Sequence, residues 1–187
     1  MKSLRPSRLS KTLALVPPAM ALVAQHASGA FNAFIKIGDI EGESTDAKHA
    51  KWIDLQSVQW DVKREISDPL GGNREPGLPK LSELTLTKLL DRSSPAIFLN
   101  AVGGSQPIST VTLELVNPTY SGVFYRLTLN NVLVSSQKHT STLGEDKPRE
   151  TITLNFTKIK IEYFYQDAKG TVAVPAVTYD VTNPSAP

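Results

Sequence analysis

Three histidines, a run of carboxylates and two tryptophans are the residues of this 187-residue chain whose types could do chemistry. His26, His49 and His139 would need a nucleophile to make a hydrolase, yet no Gly-x-Ser-x-Gly elbow accompanies them and there is no cysteine. His49 follows a turn and His139 ends a strand-like run, positions that suit a hydrogen-bonded or solvated imidazole. Asp39, Glu41, Glu43 and Asp46 are close in sequence, but they lack the Asp-x-Asx-x-Asx-Gly order of a calcium loop. No His-x-x-x-His pair is present, and Gly38 and Gly42 lack the Gly-Lys-Ser/Thr and helix of a phosphate loop. With aromatic content at 7%, Trp52 and Trp60 read as core or interface packing and not as a sugar-stacking platform. The expectation is no catalytic, metal or cofactor site.

Charge narrows the partners. Lys2, Arg5, Arg8 and Lys11 fall in the first 30 residues with no acid among them; without these four, 16 basic groups face 18 acids. That balance gives no basic stripe to neutralise a row of phosphates, so nucleic acid is not an expected partner. A chain of this length can bury a real core, and without cysteine it must do so by packing, sheet hydrogen bonds and assembly.

The elements that position these residues read as strands. Phe34 and Lys36 alternate with Ile35 and Ile37, and Glu41 to Ser44 form a turn in which Gly42 is expected to use its freedom for positive φ. From Trp52 to Val62 the apolar face switches, Ile53 and Leu55 giving way to Val58, Trp60 and Val62, so a bulge or twist is expected near Gln56-Ser57. Ser57 and Gln59 are then polar candidates for whatever surface this strand presents. Ile66 to Lys80 holds three prolines and three glycines and reads as a long loop, the clearest contact element of the chain. Leu84, Leu86 and Lys88 share one strand face. Ser94 as cap, Pro95 in the first turn and Gly103-Gly104 at the end bracket the single helix. Ser109–Val116 and Val123–Ser136 read as a hairpin, Glu150–Tyr165 as a long strand with a corner near Thr157-Lys158, and Thr171–Val181 as a last strand broken by Pro175. The pattern predicts a mainly β protein, a β-barrel or β-sandwich with one short flanking α-helix.

Met1 to Ala30 has a basic start, an apolar run from Thr12 to Ala24 and small residues before Ala30, as a secretory signal peptide does. A true initiator at Met20 and a family-specific arm are the competing accounts. The run is short for a bilayer span and contains Pro17-Pro18, so no stable membrane span is expected. The chain divides into this segment (1–30), one β domain (31–181) and a loose tail (182–187).

Four ordered segments carry a resemblance: FIKIGDIEGES (34–44), LTLTKLLDRSSPAI (84–97), NVLVSSQ (131–137) and GEDKPRETITLNFTKIKIEYFYQDAKG (144–170). Together they resemble the Hcp family, the tube proteins of bacterial type VI secretion. The resemblance implies a barrel of two sheets with one helix, a homo-hexameric ring, and rings stacked into an expelled tube. The implied partners are a VgrG spike, a contractile sheath and effector proteins in the lumen, and no catalysis is implied. It places ring-to-ring contacts on the long loop, here Asp68, Gly71, Gly72, Asn73 and Arg74, while Ser57 and Gln59 are expected to face the lumen. Localisation is then secreted after cytoplasmic assembly. The alternative is an exported binding or adhesion module in the periplasm or outside the cell, if residues 1–30 are a true signal peptide.

Overall fold

The computed structural model describes residues 31–66, 76–103, 106–119 and 122–183. Twelve strands and one helix follow in the order β1 (Asn32–Ile37), β2 (Ile53–Leu55), β3 (Ser57–Gln59), β4 (Val62–Ile66), β5 (Pro76–Leu81), β6 (Leu84–Leu89), α1 (Ser94–Gly103), β7 (Ile108–Asn117), β8 (Gly122–Thr140), β9 (Arg149–Asn155), β10 (Lys158–Asp167), β11 (Gly170–Ala173) and β12 (Val177–Asp180). Neighbours run β2-β1-β7-β8-β9-β6-β3, and β10 joins through β8 and carries β11 and β12. Every named pairing is antiparallel.

The ends of that order, β2 and β3, are consecutive pieces of chain joined at Gln56, β2 laddered to β1 and β3 to β6. The sheet therefore curls round on itself through covalent continuity, and no ladder between its end strands closes it. This is the physical content of the sidedness change expected near Gln56-Ser57: the chain leaves one ladder for another while Ile53 and Val58 both keep facing the core. The corner expected at Thr157-Lys158 is the same device, moving the chain from β9, which pairs with β6 and β8, to β10. A third irregularity is new, a register shift between Val134 and Ser136. It lets β8 run on to Thr140 while Val132, Val134 and then Gln137 face inward.

Alternation builds the core. Ile35, Ile37, Leu84, Leu86, Leu113, Leu127, Leu129, Ile152 and Leu154 are at most 1% exposed, each burial contributing about 1.5–3 kcal/mol relative to exposure. From α1, Ile97 adds the same full burial.

Two expectations are corrected. Ile66–Lys80 is not one loop: β4 and β5 pair in a ribbon with Arg64 opposite Pro79 and Ile66 opposite Pro76. A two-stranded ribbon consists only of edges, so the missing proline N–H breaks no interior ladder. Asp68, Gly71, Gly72, Asn73 and Arg74 lie outside the described residues. Gly42, in turn, does not hold a positive φ; Gly38 does, at 51°. Gly42 is required by proximity, since a Cβ there would lie 2.3 Å from the Trp52 carbonyl oxygen. The segment after it is held by backbone bonds from Gly42 to Lys51 and from Ser44 to Trp52, so the next strand waits until Ile53.

Candidate functional site

Ser57 and Gln59 are both exposed, flanking half-buried Val58. The ladders extend them into a wall. Ser57 opposes Thr87, Thr87 opposes Thr151, and Thr151 opposes Lys138; Gln59 opposes Thr85, Thr85 opposes Thr153, and Thr153 opposes Ser136. Because Leu84, Leu86, Ile152 and Leu154 are buried, strand alternation turns these threonines to the other side of the sheet. The exposure of Ser57 and Gln59 was legible from the sequence; their threonine neighbours were not, because register alone brings β6, β8 and β9 beside them. Ser57 and Gln59 also border a cavity of about 410 Å³ whose apolar lining includes Phe31, Leu55, Trp60, Leu113, Leu115 and Tyr125. Burial pushes the Tyr125 phenol up from its ordinary value.

The opposite sheet surface has another chemistry. Glu114 on β7, Arg126 on β8 and Glu162 on β10 are register partners. Arg126 donates to Glu114 at 2.6 Å and lies 3.7 Å from Glu162, which also pairs with Lys160 at 2.9 Å. Glu114 reaches His49 as well. The His49 ring is 2% exposed, with Nε2 2.7 Å from Glu114 and Nδ1 2.7 Å from Asp46. It lies flat on Phe34 at 4.3 Å, with Trp52 edge-on at 4.9 Å. The hydrogen-bonded histidine expected from the sequence is what is found: it rivets the 39–52 loop to the sheet, and Trp52 packs as expected. The hydrogen bond from His49, with backbone donors at Lys48 and His49, holds the Asp46 carboxyl below its usual range. Asp54, one strand position away from this rivet, is pushed up by burial.

A second polar cluster lies inside the barrel, and the sequence pattern gave only half of it. Lys88 shares the inward face with Leu84 and Leu86, as its parity predicts, and is fully buried. Its register partner Glu150 is equally buried and accepts at 2.6 Å, with Asp91 at 2.7 Å, Ser94 Oγ at 3.0 Å and the Leu89 carbonyl at 3.0 Å completing the shell. Ser94 donates to Glu150 at 2.6 Å, and Gln137 donates to both Glu150 and the Ser94 carbonyl. His139 stands 3.2 Å from Glu150. Ser94 is thus not the helix cap. Ser93 takes that place, its carbonyl accepting from Ile97 N–H, which frees the Ser94 hydroxyl to clamp α1 onto the ion pair. The Lys88 nitrogen and the Ser94 hydroxyl are both engaged with Glu150, so the cluster acts as a fastening.

Among the described residues no group of three or more His, Asp or Glu side chains could hold a metal ion. No described helix is long and apolar enough to cross a membrane. β4 is exposed throughout and β5 except at Pro79 and Leu81, so Val62, Ile66 and Leu78 meet solvent, and the ribbon is steadied by Arg64 donating to the Gly77 carbonyl and by Lys80 paired with Glu65.

Comparison with known proteins places this geometry. Residues 34–163 match the family described as "Type VI secretion system effector, Hcp". Protein hcp1 of Pseudomonas aeruginosa is 34% identical over 142 residues, covering 75% of this chain and 88% of the relative. A solved structure described as a type six secretion system protein superposes with a TM-score of 0.78 at 29% identity, covering 83% of this chain and 99% of that one. Hcp1 from Salmonella typhimurium gives a TM-score of 0.68 at 26% identity, covering 83% and 97%.

Proposed function

The chain belongs to the Hcp family of the type VI secretion system, and from that premise we propose that it is a structural subunit of the secretion tube, assembling as homo-hexameric rings that stack. The observation that carries this reading is the division of labour on its surface. One sheet presents a polar wall built around Ser57 and Gln59, while a separate β-ribbon stands out from it, its two strands pairing only with each other among the described residues. In this reading the wall lines the lumen, where effector proteins travel. The segment that links β4 to β5 in the chain, with Asp68, Gly71, Gly72, Asn73 and Arg74, is assigned the contact to the next ring. Unpaired strand edges invite association, and a closed cyclic assembly uses them without open-ended aggregation. The spike, the sheath and the effectors are the remaining partners, and the role is structural.

Native mass measurement and electron microscopy of the purified chain test the proposal. Six-membered rings with an open centre are expected; a monomer at every concentration sinks it. One sequence feature favours a second reading, an exported binding or adhesion module: the signal-peptide-like start from Met1 to Ala30. Mass spectrometry of the natural N-terminus separates the two. A chain starting near Met20 that forms rings supports cytoplasmic assembly followed by expulsion, and a periplasmic monomer starting near Phe31 supports export.

A further inference from the structure

Two sheet faces turned away from the core differ sharply in charge, the first of them partly covered where the 39–52 loop buries Phe34 and Glu114 under His49. On the β1-β7-β8-β10 surface, two adjacent register rows read Lys36–Thr112–Thr128–Lys160 and Phe34–Glu114–Arg126–Glu162, five charges in eight positions. On the β3-β6-β9-β8 surface, the rows Ser57–Thr87–Thr151–Lys138 and Gln59–Thr85–Thr153–Ser136 hold one charge in eight, Lys138 at their β8 end. Strand propensity favours threonine on both surfaces and so does not explain the difference. The charges at the margins of the second surface are held by their own neighbours: Arg149 donates to Gln56 at 2.9 Å, and Glu83 accepts from Ser135 at 2.8 Å and from Asn155 at 2.9 Å.

We infer that this surface, Lys138 at its β8 margin apart, is an uncharged, hydroxyl- and amide-bearing contact wall, which engages a polypeptide passenger through hydrogen bonds and excluded size, with no requirement for net charge of either sign. The inference rests on the reading of this surface as the lumen wall and adds the chemistry of recognition. Each hydroxyl both donates and accepts, so a threonine array can satisfy backbone and side-chain groups of many passengers without a fixed partner geometry. A charged wall would instead focus its field inside a narrow channel and select passengers by sign, an effect that salt screens. Neutral hydrogen bonds are individually weak in water, about 0.5–1.5 kcal/mol net. Such a wall can therefore hold a passenger through many contacts and still let it slide out.

The absence of cysteine makes the wall directly readable. Thr85→Cys and Thr153→Cys are made singly, with Lys160→Cys on the charged surface as a reference. Position 153 opposes only Thr85 and Ser136, whereas 151 faces Lys138. Each assembled ring is treated with cationic and anionic methanethiosulfonates of matched size, and the rates are normalised to the same chain unfolded. At positions 85 and 153 the two rates are expected to agree within about threefold and to stay so when salt is raised; at position 160, beside Glu162, the cationic reagent is expected to win. A preference of about tenfold or more at 85 and 153 that collapses in high salt overturns the inference. A bulky polymer-linked maleimide tests the lumen reading separately. It should label positions 85 and 153 in dissociated subunits and be excluded from them in rings. Equal labelling in both states removes the wall from the lumen, whatever the charge ratio shows.

Discussion

Lys88 has no solvent around it, so the cost of burying its side-chain nitrogen is offset by Glu150, Asp91, Ser94 and the Leu89 carbonyl. Breaking such a buried pair from one side leaves the other charge uncompensated and costs about 3–5 kcal/mol, whereas replacing both partners by apolar groups of similar volume is far milder. Lys88→Ala and Glu150→Ala are each expected to lower stability by about that amount in urea unfolding, while Lys88→Met with Glu150→Leu recovers most of it. Losses that simply add in the double variant would contradict a coupled pair. The acid limb of stability is a second residue-scale test. The Asp46 carboxyl is held below its ordinary 3.8 when folded, chiefly by His49, so its contribution is complete above that pH and is lost as pH falls through the lowered folded value. Asp46→Asn should therefore flatten the stability profile below about pH 4 and lower the plateau above it. An unchanged acid limb would show that the His49 contact does not tie this carboxyl to folding. Little of this was legible beforehand. Lys88 could be assigned to the inward face by parity, but its partner lies 62 positions later in β9, a pairing that only the register supplies.

Elements were more legible than the contacts between them. The alternation of Ile35 and Ile37, of Leu84 and Leu86, and of Val111 and Leu113 announced strands that the structure has, and Pro95 with Gly103 bracketed the helix. Parity changes at Gln56 and Thr157 marked where the chain passes between ladders, because a strand that keeps its core face while changing partner must break its period. The prolines of the 66–80 stretch misled, since they exclude an interior strand but not a two-stranded ribbon. Gly42 was recognised as special for the wrong reason, and the right one is testable. Gly42→Ala forces a Cβ against the Trp52 and Ile53 backbone and should cost about 1–3 kcal/mol of stability, typical of overpacking, with the loop that carries His49 the first region to lose hydrogen-exchange protection. Gly144→Ala, whose Cβ meets nothing within 4 Å but whose φ is 95°, separates strain from crowding. On the wall formed by β3, β6, β9 and β8, Gln59→Lys adds charge without touching the core behind Val58. Rings should still form, while a co-expressed effector is retained less well in pull-down; full retention by intact rings would remove Gln59 from the passenger's path.

At the scale of the whole molecule, fastening and reaching are separated. The two buried polar clusters hold α1 and the 39–52 loop to the barrel, so the body is braced, whereas among the described residues β4 and β5 pair only with each other and keep Val62, Ile66 and Leu78 in solvent. A ribbon that holds Val62, Ile66 and Leu78 in solvent on a braced body is a poor feature for a lone monomer and a useful one for a subunit that must meet another ring. The pairing of Ile66 with Pro76 makes the test clean, because antiparallel partners can be joined by a two-residue turn. Replacing residues 67–75 by Asn-Gly removes Asp68, Gly71, Gly72, Asn73 and Arg74 together while keeping the ribbon stem and its Lys80–Glu65 pair. If the tip joins ring to ring, the variant keeps the melting temperature of the parent and its six-membered mass, yet forms no tubes by electron microscopy under conditions where the parent stacks. Tubes of normal length would place the ring-to-ring contact elsewhere on the surface. Loss of the ring itself would assign the tip to contacts between neighbours within one ring, a different architecture from the stacked assembly proposed for this chain.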